Sequence, residues 1–183
     1  YPKRANNPPT ALVQILKELK EIKFDKGTKD FQPTNLEVTQ INIDNPADNV
    51  IPGLADANFN IRFNNKHTSS SLKKKLNKII KKICIKNKSK YSIEYYVSGE
   101  AFITKPNATT FMIQDTIQKI TKIKPKFSTT GGTSDARFIK NIAPCLEFGL
   151  VNKTMHRVDE CVSISDLRKL TDIYKNILVE YFK

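Results

Sequence analysis

The run ANFNIRF, residues 57–63, alternates without a break. Ala57, Phe59, Ile61 and Phe63 fall on one side, and Asn58, Asn60 and Arg62 on the other. Strict period-two alternation belongs to a strand with one face on a core and the other in water. Such a strand needs a second strand and a cover for its apolar face. Asn35 to Ile43 is the natural second strand, with Leu36 and Val38 in alternation, and DNPADN at 44–49 is turn chemistry. Two amphipathic helices provide the cover. Asn7-Pro8-Pro9 is a helix start, a capping residue followed by prolines where no N–H is needed. Leu12, Ile15, Leu16, Leu19 and Ile22 then predict a helix from Pro8 to Lys23. In SSSLKKKLNKIIKKICIK, the apolar stripe is Leu72, Leu76, Ile79, Ile80 and Ile83, and seven lysines cover the rest. Without aromatic anchors that lysine face reads as solvated, not as a membrane-surface helix. Cys84 falls on the stripe as a small core residue.

Tyr91 to Val97 reads as a third strand, which makes the order α-β-β-α-β. That is a ferredoxin-like, split βαβ unit without its first strand: two helices on an antiparallel sheet. Ser98-Gly99 reads as a hinge, which divides the chain into residues 1–98 and 99–183. The second block begins with a helix over Asn107 to Lys122, built on Phe111, Ile113, Ile117 and Ile120. A short strand in IKPKFSTTGG, a short helix from Ser134 to Asn141 and a strand from Pro144 to Val151 follow. A last helix starts at Ser163, with Asp166 placed for a capping box and a stripe of Leu167, Leu170, Tyr174, Leu178 and Tyr181. The α-β-α-β-α order is that of an α/β layer, and two strands alone leave open edges, so this block reads as one piece of a larger sheet.

The formal net charge of +13 raises the question of nucleic acid. Only five of the 31 basic residues are arginine, and no aromatic stripe or zinc-finger spacing accompanies them, so a nucleic-acid partner is not expected. No apolar run approaches the roughly 18 residues of a membrane span, and none is expected. Three cysteines without a CxxC pair, and no secretory signal at the start, read as reduced intracellular thiols and a cytoplasmic protein. The abrupt start without Met leads us to expect upstream sequence.

Two stretches carry candidate chemistry. STTGGTSDAR, Ser128 to Arg137, gathers five hydroxyl residues around two of the chain's six glycines. It is not a P-loop, since the glycines are adjacent and no Lys follows. Its backbone suits an anion at a helix N-terminus, and it suits equally a plain turn with Thr133 or Ser134 as a helix cap. VNKTMHRVDECV, residues 151–162, puts His156 in a loop after an apolar run, at the edge where α/β sheets bind ligands. One His is not a zinc site, which needs three or four ligands, so any partners of His156 lie elsewhere.

Taken together, GGTSDARFI and LEFGLVNKTMHRVDECV resemble the C-terminal part of the M20 family of two-zinc amidohydrolases, its desuccinylase branch in particular. The likeness spans the chain: Tyr1-Pro2 looks like the end of that family's GHxxYP motif, and ADNVIPG (47–53), FNIRF (59–63) and SGEAFITKP (98–106) are also present. The resemblance implies that residues 1–98 are a lid or dimerisation domain. It implies that residues 99–183 are the C-terminal portion of a zinc-hydrolase catalytic domain. It makes His156 a zinc ligand, and Tyr1, Asn49, Arg62, Gly132, Thr133 and Asn152 substrate-binding positions. It further implies two zincs per active site, with cobalt able to substitute, and a homodimer through the lid. The reaction implied is hydrolysis of N-succinyl-LL-2,6-diaminopimelate to succinate and LL-2,6-diaminopimelate, on the route to lysine. The sister alternatives are another M20 deacylase, such as an acetylornithine deacetylase, or a non-catalytic dimerisation module. This chain departs from the family pattern at Ala136, where Gly is usual, and at Leu150, where Pro is usual. In that family the remaining zinc ligands and the general-base Glu come from an N-terminal segment that does not match here. No catalytic residue is therefore assigned, and the chain by itself is expected to be inactive.

Overall fold

The computed structural model describes residues 5–130, 133–151 and 153–183. It divides into two compact units, Tyr1–Phe102 and Ile103–Lys183.

The first unit contains α1 (Pro8–Lys20), β1 (Asn35–Asn42), β2 (Asp56–Arg62) and α2 (Ser69–Lys86). Asn7 caps α1 through its side-chain oxygen, which accepts the Thr10 N–H at 3.1 Å. The helix stops three residues short of the expected Lys23. There the Ile22 amide bonds back to the Leu19 carbonyl, which tightens the last turn. Thr68 and Ser71 form a capping box at the start of α2, and both carboxylate oxygens of Glu100 accept the Ser69 N–H at 3.1 Å. An acid at a helix N-terminus complements the dipole, so the stretch after Gly99 is tied back to α2.

β1 and β2 pair antiparallel, with Leu36 opposite Ile61 and Val38 opposite Phe59. A bulge at Thr39 then shifts the register, so Ile41 faces Ala57. Simple alternation would have put Gln40 on the apolar face; the extra residue keeps Leu36, Val38 and Ile41 on one side. The opposite face is an amide ladder: Asn58 donates to Gln40 at 2.8 Å, and Asn42 to Asp56 at 2.8 Å. Leu19, Leu36 and Leu76 form the core, packed by Ile15, Ile22, Phe24, Val38, Phe59, Ile61, Ile79 and Tyr95. Both helices thus cover one face of the sheet, as its alternation requires. Cys84 is buried in α2, and burial pushes its thiol pKa up. Two lysine ammonium groups of α2 lie over aromatic rings, Lys73 Nζ over Tyr95 and Lys75 Nζ over Phe24.

Loop 25–33 is held by a buried knot. The Asp25 carboxylate, 6 % exposed, accepts from Gly27 N–H at 2.5 Å, Thr34 N–H at 3.2 Å and Asn64 Nδ2 at 2.7 Å. His67 Nε2 stands 3.1 Å from the same group. Gly27 closes this loop at φ +78°, and a Cβ there would meet the Phe31 carbonyl oxygen at 2.6 Å. Gly27→Ala therefore combines a left-handed backbone with a backbone clash. We expect it to lower the stability of the first unit by more than about 1 kcal/mol, read as a fall in its urea midpoint.

The second unit contains α3 (Ala108–Thr121), α4 (Ala136–Ile139) and α5 (Ile164–Tyr181). α3 carries a reciprocal cap, Asn107 with Thr110, and ends on Lys122 in the left-handed region. It packs against α5, with Ile117 and Ile173 buried. α4 is a single turn, shorter than the expected 134–141.

Three expected strands are absent among the described residues. Residues 91–97, the run leading to Ser128, and 144–151 are extended or irregular and join no ladder. The period-two signal persists in the first, where Ile93 and Tyr95 are half-buried between exposed neighbours. Periodicity marks which side chains share a face, but a strand also needs a backbone partner. The α5 stripe differs too: Ile173 is buried, while Leu167, Tyr174, Leu178 and Tyr181 are 45–60 % exposed. The turn of the helix that meets α3 is offset from the stripe that periodicity picks out.

Candidate functional site

Tyr1, Gly132 and Asn152 lie outside the described residues. Asn49 and Arg62 are in the first unit, Thr133 and His156 in the second.

Arg62 ends β2 on the polar face, opposite Asn35. Its side chain is exposed, and among the described residues no hydrogen bond or ion pair engages it. Glu37, two residues along β1 from the Asn35 that faces Arg62, is committed elsewhere: it pairs with Lys20 at 2.7 Å and also accepts from Asn35. The guanidinium is a free fork with donors for a carboxylate. Asn49 sits on the turn after β1, beside an open depression of about 460 Å³ that it lines with Asn7, Pro9, Ile43, Asn45 and Ile51. The Asn45 side chain donates to the Val50 carbonyl at 2.9 Å, which stiffens this turn and presents Asn49 to solvent.

In the second unit the turn before α4 is engaged by a residue that sequence reading missed. Glu147 Oε1 accepts the Ser134 N–H at 2.8 Å and the Ser134 hydroxyl at 2.7 Å. The Ser134 hydroxyl, opposed by partial burial and reinforced by the Ser134 amide and the Thr133 hydroxyl, holds the Glu147 carboxyl below the ordinary Glu range. An anion thus meets the turn, as its hydroxyl-rich sequence suggests, but the anion is the protein's own. The only sequence signal for it was an acid set in an otherwise apolar run, CLEFGLV. The cap reading of Thr133 and Ser134 does not hold. Asp135 occupies the N-cap position of α4 and makes no side-chain capping bond.

His156 is exposed at the tip of a turn, at φ +63°. Thr154 closes the base of that turn, donating its hydroxyl to the Cys161 carbonyl at 2.8 Å and accepting the Cys161 N–H at 3.0 Å. A non-glycine residue in the left-handed region is held there by its surroundings, and this turn presents the imidazole outward. Among the described residues no group of three or more His, Cys, Asp or Glu could hold a metal ion. A single imidazole is fewer than the three or four ligands that a zinc site needs. No described helix is long and apolar enough to cross a membrane.

Comparison with known proteins gives a consistent result. Residues 1–88 match the M20 peptidase dimerisation domain. Over 182 residues the chain is 77% identical to the succinyl-diaminopimelate desuccinylase of Pelagibacter ubique, covering 100% of this chain and 47% of that protein. The desuccinylase of Rickettsia bellii is 52% identical over 98% of this chain and 46% of its own length. That of Parvibaculum lavamentivorans is 48% identical over 100% and 46%. The chain spans about half the length of the curated relatives it matches.

Proposed function

We propose that this chain, whose residues 1–88 match the M20 peptidase dimerisation domain and which is similar along its whole length to desuccinylases, is part of a zinc-dependent amidohydrolase. The proposed reaction is hydrolysis of N-succinyl-LL-2,6-diaminopimelate to succinate and LL-2,6-diaminopimelate. The observation that carries this reading is the 77% identity over the full chain to a protein of that name.

In this reading residues 1–98 form the lid through which two copies dimerise, and residues 99–183 belong to the catalytic domain. Arg62 forks onto a substrate carboxylate, and Asn49 and Tyr1 add polar contacts from the lid. Gly132, Thr133 and Asn152 read the substrate from the catalytic side. His156 donates one imidazole to the metal centre, its outward turn leaving a ring nitrogen free for that bond. When bound, zinc supplies Lewis acidity and an activated water. On this reading the other ligands and the general-base Glu belong to a segment that this chain does not match. The cytoplasm is the proposed compartment, in keeping with a biosynthetic enzyme.

The test compares two samples. The 183-residue chain alone, with excess zinc, is expected to bind no stoichiometric metal and to hydrolyse no succinyl amide. The full-length protein that contains it is expected to turn over succinyl-diaminopimelate only with metal present. Turnover by the chain alone, or none by the full-length protein, sinks the reading. A metal-dependent full-length protein that prefers an acetylated amino acid instead makes it a sister deacylase.

A further inference from the structure

We infer that Glu147 is a positioning residue: its carboxylate braces the Thr133–Ser134 turn so that Thr133 is presented to substrate in one fixed geometry, while Ser134 is spent on the brace. The inference rests on the desuccinylase reading for the identity of the substrate, but not for the brace itself.

The geometry carries it. One carboxylate oxygen, Glu147 Oε1, takes both the amide and the hydroxyl of Ser134, at 2.8 and 2.7 Å. A single acceptor holding main chain and side chain of one residue fixes that residue's backbone as well as its rotamer. Glu147 is itself on anchored chain. The Cys145 N–H donates to Thr104 Oγ1 at 3.3 Å on one side, and the Tyr174 hydroxyl donates to the Phe148 carbonyl at 2.5 Å on the other. The brace therefore links the turn before α4 to the run that leads towards the His156 loop. Charge-assisted hydrogen bonds of this kind are roughly twice as strong as neutral ones. The turn needs such a brace, because its own helix gives it little. α4 is four residues long, and Asp135 makes no capping bond to it.

The arrangement has a consequence for specificity. A substrate carboxylate cannot use the Ser134 donors without displacing an anchored carboxylate and meeting its charge. Both Ser134 donors are thus closed to a substrate carboxylate, and the Thr133 hydroxyl, which also bears on Glu147, is held in place by the same carboxylate. This differs from a carboxylate that merely fills an empty anion site and leaves when substrate arrives.

Two measurements test the inference. In the 183-residue chain the Ser134 amide proton shift is followed against pH. It is expected to titrate with a carboxyl group on the acid side of the ordinary Glu range, and to lose that titration in Glu147→Gln, while α3 amide shifts stay unchanged as a control for folding. In the full-length enzyme with metal, Glu147→Ala is expected to raise KM about tenfold with kcat altered far less, the loss of uniform binding. Glu147→Gln, which keeps an acceptor oxygen, should recover most of that loss. The double variant Thr133→Val/Glu147→Ala should be no worse than Thr133→Val alone, because one residue acts through the other. A Ser134 amide that ignores the carboxyl titration overturns the brace. Tighter binding of succinate in Glu147→Ala overturns the positioning role, since it marks Glu147 as a competitor of substrate. Additive effects of the two substitutions overturn it as well. Absence of succinyl-amide turnover in the unmutated full-length protein removes the substrate assignment, and the amide titration still decides the brace.

Discussion

Replacing Asp25 by Ala is expected to cost the first unit about 3–5 kcal/mol, the range for removing one partner of a buried charged network. The carboxylate accepts from the Gly27 and Thr34 amides and from Asn64, with His67 3.1 Å away, and all four lose their acceptor together. Buried donors left unpaired cost more than the hydrogen bonds were worth. The loss is large beside a typical domain stability of about 5–15 kcal/mol. Hydrogen exchange of the α2 amides should read it as opening that is faster by at least a hundredfold, since each 1.4 kcal/mol or so is a factor of ten. Unchanged α2 protection in Asp25→Ala would refute a structural role for the knot.

The same group sets an acid dependence. Burial pushes the Asp25 pKa up, but the Thr34 hydroxyl, the Gly27 amide, the Asn64 side chain and the Thr34 amide outweigh it and hold the carboxyl well below its ordinary value of 3.8. With the folded value depressed, the unfolded chain takes up the proton first. The stabilisation is complete above 3.8 and drains as the pH falls below it towards the folded value. Asp25→Asn should therefore be less stable than the unmutated chain at neutral pH, and the gap should narrow on acidification below 3.8. A gap that stays constant down that limb refutes the assignment to Asp25.

Arg62→Ala is expected to lower kcat/KM of the full-length enzyme about a hundredfold or more, with the fold untouched. Removing one partner of a hydrogen-bonded charge pair costs about 2–5 kcal/mol when the pair is shielded from water. The lid, on the proposed function, provides that shielding around a substrate carboxylate. Stability should move by no more than about 0.5 kcal/mol, because the side chain is exposed and no described residue bonds to it. Arg62→Lys should recover only part of the loss, since a point charge cannot make the two parallel bonds of the guanidinium fork. Arg62 and Asp25 thus make opposite predictions, one on turnover alone and one on folding alone. Comparable loss of stability in both variants would show that Arg62 has a structural role.

Much of the first unit was legible because its determinants are local. Asn7-Pro8-Pro9 and the stripe Leu72 to Ile83 each fix a helix through neighbours within a few residues, and both helices form, α1 ending three residues before the expected Lys23. The alternation in β2 also holds, and so does the outward position of Arg62. The bulge at Thr39 was not legible, because it depends on how Ile41 must meet Ala57 across the sheet. The Asp25 knot joins residues up to 42 positions apart, and no local pattern announces it.

The second unit shows the same division more sharply. Motif residues marked STTGGTSDAR and His156 as the chemical stretches, and the likeness to desuccinylases bears out the family they suggested. What the turn holds was decided in three dimensions: Glu147, thirteen residues along the chain, occupies the Ser134 donors. Apolar periodicity also predicted strands at 144–151 and a buried stripe on α5 that the described residues do not form. Hydrophobic pattern is a property of the chain, written residue by residue, and so are caps and turn residues. Ladder pairing, buried charge and the satisfaction of a donor are properties of pairs brought together from a distance, and only the tertiary structure can choose the pairs.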